Sequence, residues 1–290
     1  MEKSLDRAKV LIEALPYIKT FWGQTVVIKY GGAAMVDEDL ARAFALDIVL
    51  LRFVGMKPVI VHGGGPEITT LMEKLGKGVE FVEGHRVTDA ETRDIALMIL
   101  AGKLNKEIVS LINGQGGKAL AVGLSGVDGG LIEAQKLTTT NKIDLGFTGR
   151  VAGVNPKIIT TLDEAGFIPV IAPLGVDPDG ATYNINADLV AGELAASLQA
   201  NKLIFLTDTR GILKNPEDDD SLISSIRANR ISELFEKGYI TGGMIPKLRA
   251  CEHAVQSGVE KAHIIDGRVH HSLLLEIFTD KGIGTQITNR

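Results

Sequence analysis

Two stretches decide the reading of this chain: Val26-Val27-Ile28-Lys29-Tyr30-Gly31-Gly32 and Val59-Ile60-Val61-His62-Gly63-Gly64-Gly65-Pro66. Each is a run of β-branched residues that stops at glycines and is followed by apolar residues at helical spacing. Each therefore reads as a buried strand that delivers a loop to a helix N-terminus. Glycines let backbone N–H groups come close to phosphate or carboxylate oxygens, and a helix N-terminus adds partial positive charge. Lys29 adds a full charge at the C-terminal edge of its strand, the edge where open α/β sheets bind ligands.

Working outward, the alternation continues. A helix is expected over Asp39–Gly55, a second strand from Pro58 and a helix from Pro66 to about Leu75. A small hairpin follows at Val79–Thr88, and Thr88-Asp89-Ala90-Glu91 resembles a capping box for one long helix to about Ile112. Strands near 119–124, 131–134, 148–154 and 168–172 surround a helix at 156–165. Gly175–Gly180, rich in Pro, Asp and Gly, is the best candidate for a boundary between two lobes. Beyond it come an alanine-rich helix after Tyr183–Asp188, a strand at 202–207, an acidic loop at 216–220, helices near 231–237 and 246–257, a strand at 261–266 and a last helix. The expected fold is α/β, a three-layer αβα sandwich around a central, mainly parallel open sheet, with an N-terminal helix (1–22) and two lobes (23–178 and 179–290).

Composition narrows the function classes. The chain has 290 residues, 45% of them hydrophobic, with 5% aromatics and 33 glycines. That mixture suits a parallel sheet of Val and Ile covered by Ala- and Leu-rich helices. Lys plus Arg number 31 against 36 Asp plus Glu, a net charge of −5, with no basic run interleaved with aromatics. This gives nucleic-acid binding no support. No apolar stretch approaches the ~18 residues that span a bilayer, and no signal peptide opens the chain. The single cysteine, Cys251, excludes an intrachain disulfide framework and reads as a buried structural thiol. A cytoplasmic protein is expected.

Familiar signatures fail in turn. No Gly-x4-Gly-Lys-Ser/Thr is present. Gly114-Gln115-Gly116-Gly117-Lys118-Ala119 follows a helix and precedes a strand, the reverse of a dinucleotide-binding turn. Protein-kinase and serine-hydrolase motifs are missing, as is zinc-site spacing. Isolated polar residues at element ends remain. Lys29 closing a strand is ordinarily a solvated terminus, and Gly31-Gly32 after it make a ligand-binding role an equal alternative. His62 with Gly63-Gly64-Gly65 reads as ligand-binding, since three consecutive glycines are costly in ordered backbone. Arg86 has the planar fork for bidentate carboxylate binding, although an exposed arginine is normally a surface group. Asn184 and Asp188 fall where simple helix capping is the plain alternative. Lys247 follows Gly242-Gly243-Met244-Ile245-Pro246, a second glycine loop opening a helix.

Taken in order, Lys29-Tyr-Gly-Gly, His62-Gly-Gly-Gly-Pro, Gly84-His-Arg-Val-Thr, Asn184-Ile-Asn-Ala-Asp188, Thr207-Asp-Thr-Arg-Gly-Ile-Leu213 and Thr241-Gly-Gly-Met-Ile-Pro-Lys247 resemble the amino acid kinase family, within it the branch acting on N-acetyl-L-glutamate. The likeness runs from about Val26 to the C-terminus; each motif is weak alone and the set is specific. The resemblance implies ATP-dependent phosphorylation of the γ-carboxylate of N-acetyl-L-glutamate in arginine biosynthesis, with Mg2+ carried on the nucleotide phosphates. It implies that Lys29 and Lys247 stabilise the transferring phosphoryl and that Asp188 orients both. Amides of Gly31, Gly32, Gly64 and Gly65 would hold phosphate and the reacting carboxylate, and Arg86 and Asn184 would grip the substrate. Thr207, Asp208, Gly211, Ile212, Leu213, Tyr239, Gly242, Gly243 and Met244 would form the nucleotide site.

The segment 4–22 places Leu5, Ala8, Leu11, Ile12, Leu15, Ile18 and Trp22 at helical spacing, interrupted by Pro16. By itself that reads as a helix packed on its own domain. The resemblance implies instead a kinked extension that links dimers into a hexamer in arginine-inhibited members, with Tyr17, His263, Glu276 and Gly282 in an arginine site. Other family activities, on glutamate, aspartate, carbamate or UMP, stay open, as does a non-catalytic arginine-binding protein.

Overall fold

The computed structural model describes residues 2–116, 120–215, 217–279 and 281–289. The end of the Gly114–Ala119 stretch and Pro216 of the acidic loop lie outside them, as do the side chains of Leu5 and Ala8. Along the chain run α1 (Glu2–Phe21), β1 (Thr25–Tyr30), α2 (Ala33–Val36), α3 (Glu38–Phe53), β2 (Lys57–His62), α4 (Gly65–Lys74), β3 (Phe81–Val82), β4 (His85–Arg86), α5 (Ala90–Leu97), a π-helical turn (Met98–Leu104) and α6 (Asn105–Gly116). Then follow β5 (Ala121–Ser125), β6 (Ile132–Thr138), β7 (Asp144–Val154), α7 (Lys157–Glu164), β8 (Ile168–Ala172), β9 (Leu174–Val176), β10 (Thr182–Ile185) and α8 (Ala187–Ser197). The last part holds β11 (Lys202–Thr207), β12 (Ser225–Arg227), α9 (Ile231–Glu236), α10 (Met244–Gln256), β13 (Lys261–Asp266), α11 (Ser272–Ile277) and β14 (Thr285–Thr288).

Eight strands form one sheet in the order β12-β14-β13-β11-β1-β2-β8-β5. All neighbours are parallel except β13 and β14. Strand residues alternate between two cores, as the two-residue period of a strand requires. Val27, Val59, Leu203 and Phe205 pack with α8 and α10 on one face. Val26, Ile28, Ile60 and Ile204 pack with α3, α6 and α11 on the other. This is an α/β sandwich of three layers. The paired β1 and β11 stand at its centre, so their C-terminal ends bring the two halves of the chain together.

Several local readings change. The α5 cap is Asp89, which accepts from Thr92 N; Thr88 is instead bonded to Arg86 O and Thr148 Oγ1 and bridges to Gly146. The helix after it carries a π-helical turn and continues to Gly116. Residues 175–180 cover the end of β9 and most of the turn (177–181) that joins it to antiparallel β10, so the 178/179 division falls inside a hairpin. With β6 and β7 these strands form a small closed sheet beside the main one. Helix α1 runs through Pro16 without a break. Its Val10, Leu11 and Ile12 are exposed rather than packed on the domain. His271 precedes α11 as its N-cap, and its Nδ1 bonds the buried Asp47 at 2.6 Å. Among the described residues no helix is long and apolar enough to cross a membrane.

Candidate active site

The C-terminal ends of β1, β2 and β11 open onto a cleft of about 1010 Å³, lined among others by Lys29, Gly31, Gly32, Gly64, Gly65, Arg86, Asn184 and Asp188. A second cleft of about 370 Å³ adjoins it and shares Lys29, Gly32 and Asp208. Thr207, Gly211, Ile212, Leu213, Tyr239, Gly243, Met244 and Lys247 line the second cleft with them, whereas Gly242 is not part of its wall.

Asp188 stands where the clefts meet. It occupies the first turn of α8, but Asn186 is the residue that caps that helix, accepting from Asp188 N and Leu189 N. The Asp188 carboxylate is thereby left for other partners. Its Oδ2 accepts from Lys247 Nζ at 2.8 Å. Its Oδ1 lies 3.2 Å from Lys29 Nζ, an ion-pair distance without hydrogen-bond alignment. Burial pushes the Asp188 carboxyl upward, and the two ammonium groups more than offset this, so the net shift is downward. One buried anion thus holds two cations, one from the first half of the chain and one from the second. Lys247 Nζ also donates to Gly243 O at 3.2 Å, which ties it to its own glycine loop.

The glycines have local reasons. A β-carbon at Gly31 would stand 2.5 Å from Lys29 Nζ, so the absence of a side chain gives that ammonium its place. Asp208 Oδ1 accepts from Ala33 N at 2.6 Å and fastens the loop after β1 to the end of β11.

Arg86 is buried, donating to Gly65 O at 2.9 Å and Thr69 Oγ1 at 2.8 Å, with its guanidinium carbon 4.8 Å from the centre of the Phe81 ring. These contacts hold the fork against α4 at the cleft wall. Asn184 sits in β10, not in the helical turn suggested by the sequence. His62 is fully buried and absent from the cleft lining, which corrects its reading as a ligand-binding side chain. Thr69 carried no sequence signal, because it acts through a contact with a residue of another element.

A second polar cluster lies on the opposite end of the sheet. His263 Nδ1 donates to Glu276 Oε1 at 2.6 Å, and Glu276 Oε2 accepts from Ile283 N at 2.8 Å beside Gly282. His263 Nε2 faces Lys202 Nζ at 3.4 Å, and that ammonium rests 4.9 Å from the centre of the Phe21 ring. Burial, with repulsion from Lys261, lowers the Lys202 pKa to about 8. Tyr17 meets Phe278 edge to face. Sequence reasoning named Tyr17, His263, Glu276 and Gly282 and missed Lys202, which looks like an ordinary strand-opening residue. Cys251 is buried in α10, and burial raises its thiol pKa.

Comparison with known proteins is consistent across the chain. An acetylglutamate kinase from Moorella thermoacetica is 56% identical over 290 residues, covering 98% of this chain and 97% of that protein. N-acetylglutamate synthase from Neisseria gonorrhoeae, solved with coenzyme A and N-acetyl-glutamate, superposes with a TM-score of 0.85 at 27% identity. The match covers 97% of this chain and 63% of the synthase, so the chain spans less than two thirds of that protein. The same synthase with coenzyme A and L-arginine gives a TM-score of 0.82 at 26% identity, covering 96% of this chain and 64% of that one. The sequence model of the amino acid kinase family matches residues 24–266, and the chain belongs to that family.

Proposed function

We propose that the chain transfers the γ-phosphoryl group of ATP to the γ-carboxylate of N-acetyl-L-glutamate, forming N-acetyl-L-glutamyl 5-phosphate in cytoplasmic arginine biosynthesis. The observation that carries this reading is Asp188 bridging Lys29 and Lys247 where the two clefts meet. A carboxylate is already ionised at pH 7, so the nucleophile needs no general base. The obstacle is the approach of two anions and the charge that builds on the transferring phosphoryl. Fixed cations and amide donors in a low-dielectric site answer that obstacle. In this reading Lys29 and Lys247 flank the phosphoryl, and Asp188 keeps both ammonium groups in place. Amides of Gly31 and Gly32 take the phosphate side, and those of Gly64 and Gly65 the acyl side. Arg86 and Asn184 hold the α-carboxylate and the acetamido group in the larger cleft. The nucleotide occupies the smaller cleft between the 207–213 and 239–244 segments.

Mg2+ enters on the nucleotide phosphates, since a hard cation that keeps oxygen ligands needs no dedicated protein cage. Asp208, which borders both clefts, would be a nearby carboxylate and not a dedicated ligand. Carried in on the nucleotide, Mg2+ would supply neutralisation of phosphate charge beside Lys29 and Lys247.

The test is an ATP-dependent hydroxamate assay with N-acetylglutamate, glutamate, aspartate and carbamate in parallel, alongside UMP phosphorylation. Turnover with N-acetylglutamate alone is expected; equal turnover with another acceptor would overturn the assignment. Lys247→Ala should lower kcat on the order of 10²-fold or more with a modest change in KM for N-acetylglutamate. Arg86→Ala should instead raise that KM strongly. Near-normal turnover of Lys247→Ala would remove the charge-stabilising role.

A regulatory reading rests on the Lys202–His263–Glu276 cluster. Glu276 can pair with a guanidinium or ammonium group, and Tyr17 and Phe21 bring α1 to the same place. Arginine inhibits by binding there, and α1 links dimers into a hexamer. Adding arginine to the same assay, with Glu276→Gln as control, tests this: inhibition that persists in the variant would count against the site.

A further inference from the structure

His62 is a titratable side chain that the proposed chemistry does not use, yet it is fully buried at the end of β2, beside the loop of Gly63, Gly64 and Gly65. Its proton can be located from its neighbours. The Asn105 side-chain nitrogen lies 2.9 Å from Val170 O, 3.2 Å from Leu124 O and 3.3 Å from His62 Nε2. Two carbonyl oxygens can be met only by the NH2 end of an amide, so Nδ2 faces them; with two hydrogens for three neighbours His62 Nε2 takes at most a shared contact, and an N–H at Nε2 would oppose the amide hydrogens. The ring proton then sits on Nδ1, which donates to Gly63 O at 2.8 Å. Lys106 Nζ holds the other end of the same amide, donating to Asn105 Oδ1 at 3.0 Å. Burial lowers the His62 pKa to about 4, against the pull of the Gly63 bond and with help from Lys29 and Lys106. The ring therefore stays neutral in this tautomer.

The peptide between Gly63 and Gly64 is trans. In a trans peptide the carbonyl and the following N–H point in opposite directions. A Gly63 carbonyl held toward buried His62 turns Gly64 N–H the other way, toward the cleft that Gly64 lines. Among the described residues that amide donates to no acceptor in the protein. Leu100 and Leu104, from the π-helical turn that ends at Asn105, close over Gly64; a β-carbon there would lie 2.5 Å from Leu104 Cδ1. π-helical turns recur at functional sites.

We infer that His62, oriented by Asn105, is a positioning residue that locks the Gly63–Gly64 peptide with Gly64 N–H facing the reacting anion. The inference rests on the phosphoryl transfer proposed above. With the lock removed the peptide can flip, and a carbonyl oxygen then meets the anion where a donor stood.

Three variants separate positioning from bulk structure. His62→Asn keeps an N–H donor near the Nδ1 position, His62→Gln moves its amide to the Nε2 side, and His62→Leu has no donor. Relative to wild type, His62→Asn should keep kcat within about 5-fold, while the other two lose roughly 10²-fold, the scale set by one oxyanion donor. KM for ATP should stay level throughout. Equal kcat in His62→Asn and His62→Gln would overturn the inference. Nitrogen-15 NMR of wild-type His62 is the second measurement and needs no variant to fold. A neutral ring protonated at Nδ1 at pH 7 supports the lock, and a ring protonated at Nε2, or doubly protonated, overturns it. If wild type phosphorylates N-acetylglutamate and Lys247→Ala abolishes this while the His62 variants are indifferent, the inference fails alone. If wild type phosphorylates nothing, the functional reading fails and takes the proposed role of His62 with it.

Discussion

At the residue scale the site is a problem of placing charge. Lys29 and Lys247 would repel each other across a gap, and the buried Asp188 makes their shared position stable. Gly31 shows how local that arrangement is. Gly31→Ala introduces a methyl group where Lys29 Nζ now lies, with ordinary backbone angles and a flexible side chain as the obstacle. The fold should lose roughly 1–3 kcal/mol, because Gly31 is buried and the methyl group displaces the ammonium paired with Asp188. The ammonium must move, so kcat should fall at least about 10-fold, more than the accompanying drop in Tm accounts for. Parallel kinetics and thermal melts check this; normal kcat with a large drop in Tm would contradict it. The motif Lys-Tyr-Gly-Gly was legible in the sequence because the strand period and the glycines both point to an anion loop. The third partner of the ion network was not, since Asp188 lies 159 residues beyond Lys29 in the numbering and resembles any first-turn acid.

At the element scale the helices divide by what they bury. Helices α3 and α8 present apolar faces to the two sides of the sheet, so their 3.6-residue periods predict them well. Helix α1 carries a similar stripe but leaves Val10, Leu11, Ile12 and Leu15 exposed, and it touches the body near its C-terminal end. An isolated helix of this kind is marginal in water and gains stability from packing on something else. On the proposed assembly, removing residues 1–20 should leave an active protein that is a dimer by light scattering, while the full chain is a hexamer. A truncated protein that stays hexameric would remove the linking role of α1. The π-helical turn inside the helix after Asp89 had no signature, because apolar periodicity does not distinguish one extra residue in a helical turn. The hairpin turn at 175–180 misled for a related reason: Pro, Asp and Gly mark a reversal without saying whether a lobe or a strand pair follows.

At the scale of the whole molecule, folding and the site are linked through His62. The unfolded chain takes up a proton at His62 below about pH 6.5, whereas the folded chain resists until about pH 4 because burial disfavours the charged ring. Stability from this residue is therefore fully present above pH 6.5 and drains away as pH falls toward 4, by about 3 kcal/mol over the full window. Urea titrations of wild type and His62→Asn at pH 7 and at pH 5 should show wild type losing more stability on acidification; equal losses would contradict the linkage. The sequence by itself determined the α/β class, the two glycine loops, Lys29 before one of them, Lys247 after a further glycine pair, and the family, because strand alternation, helix periodicity and loop glycines are local consequences of residue type. Only the tertiary structure decided that β1 and β11 are neighbours, that Asp188 stands between Lys29 and Lys247, that Lys202 joins His263 and Glu276, and that Asn105 orients His62. Those facts depend on strand order and crossovers, which bring together residues far apart in the chain and leave no trace in local pattern.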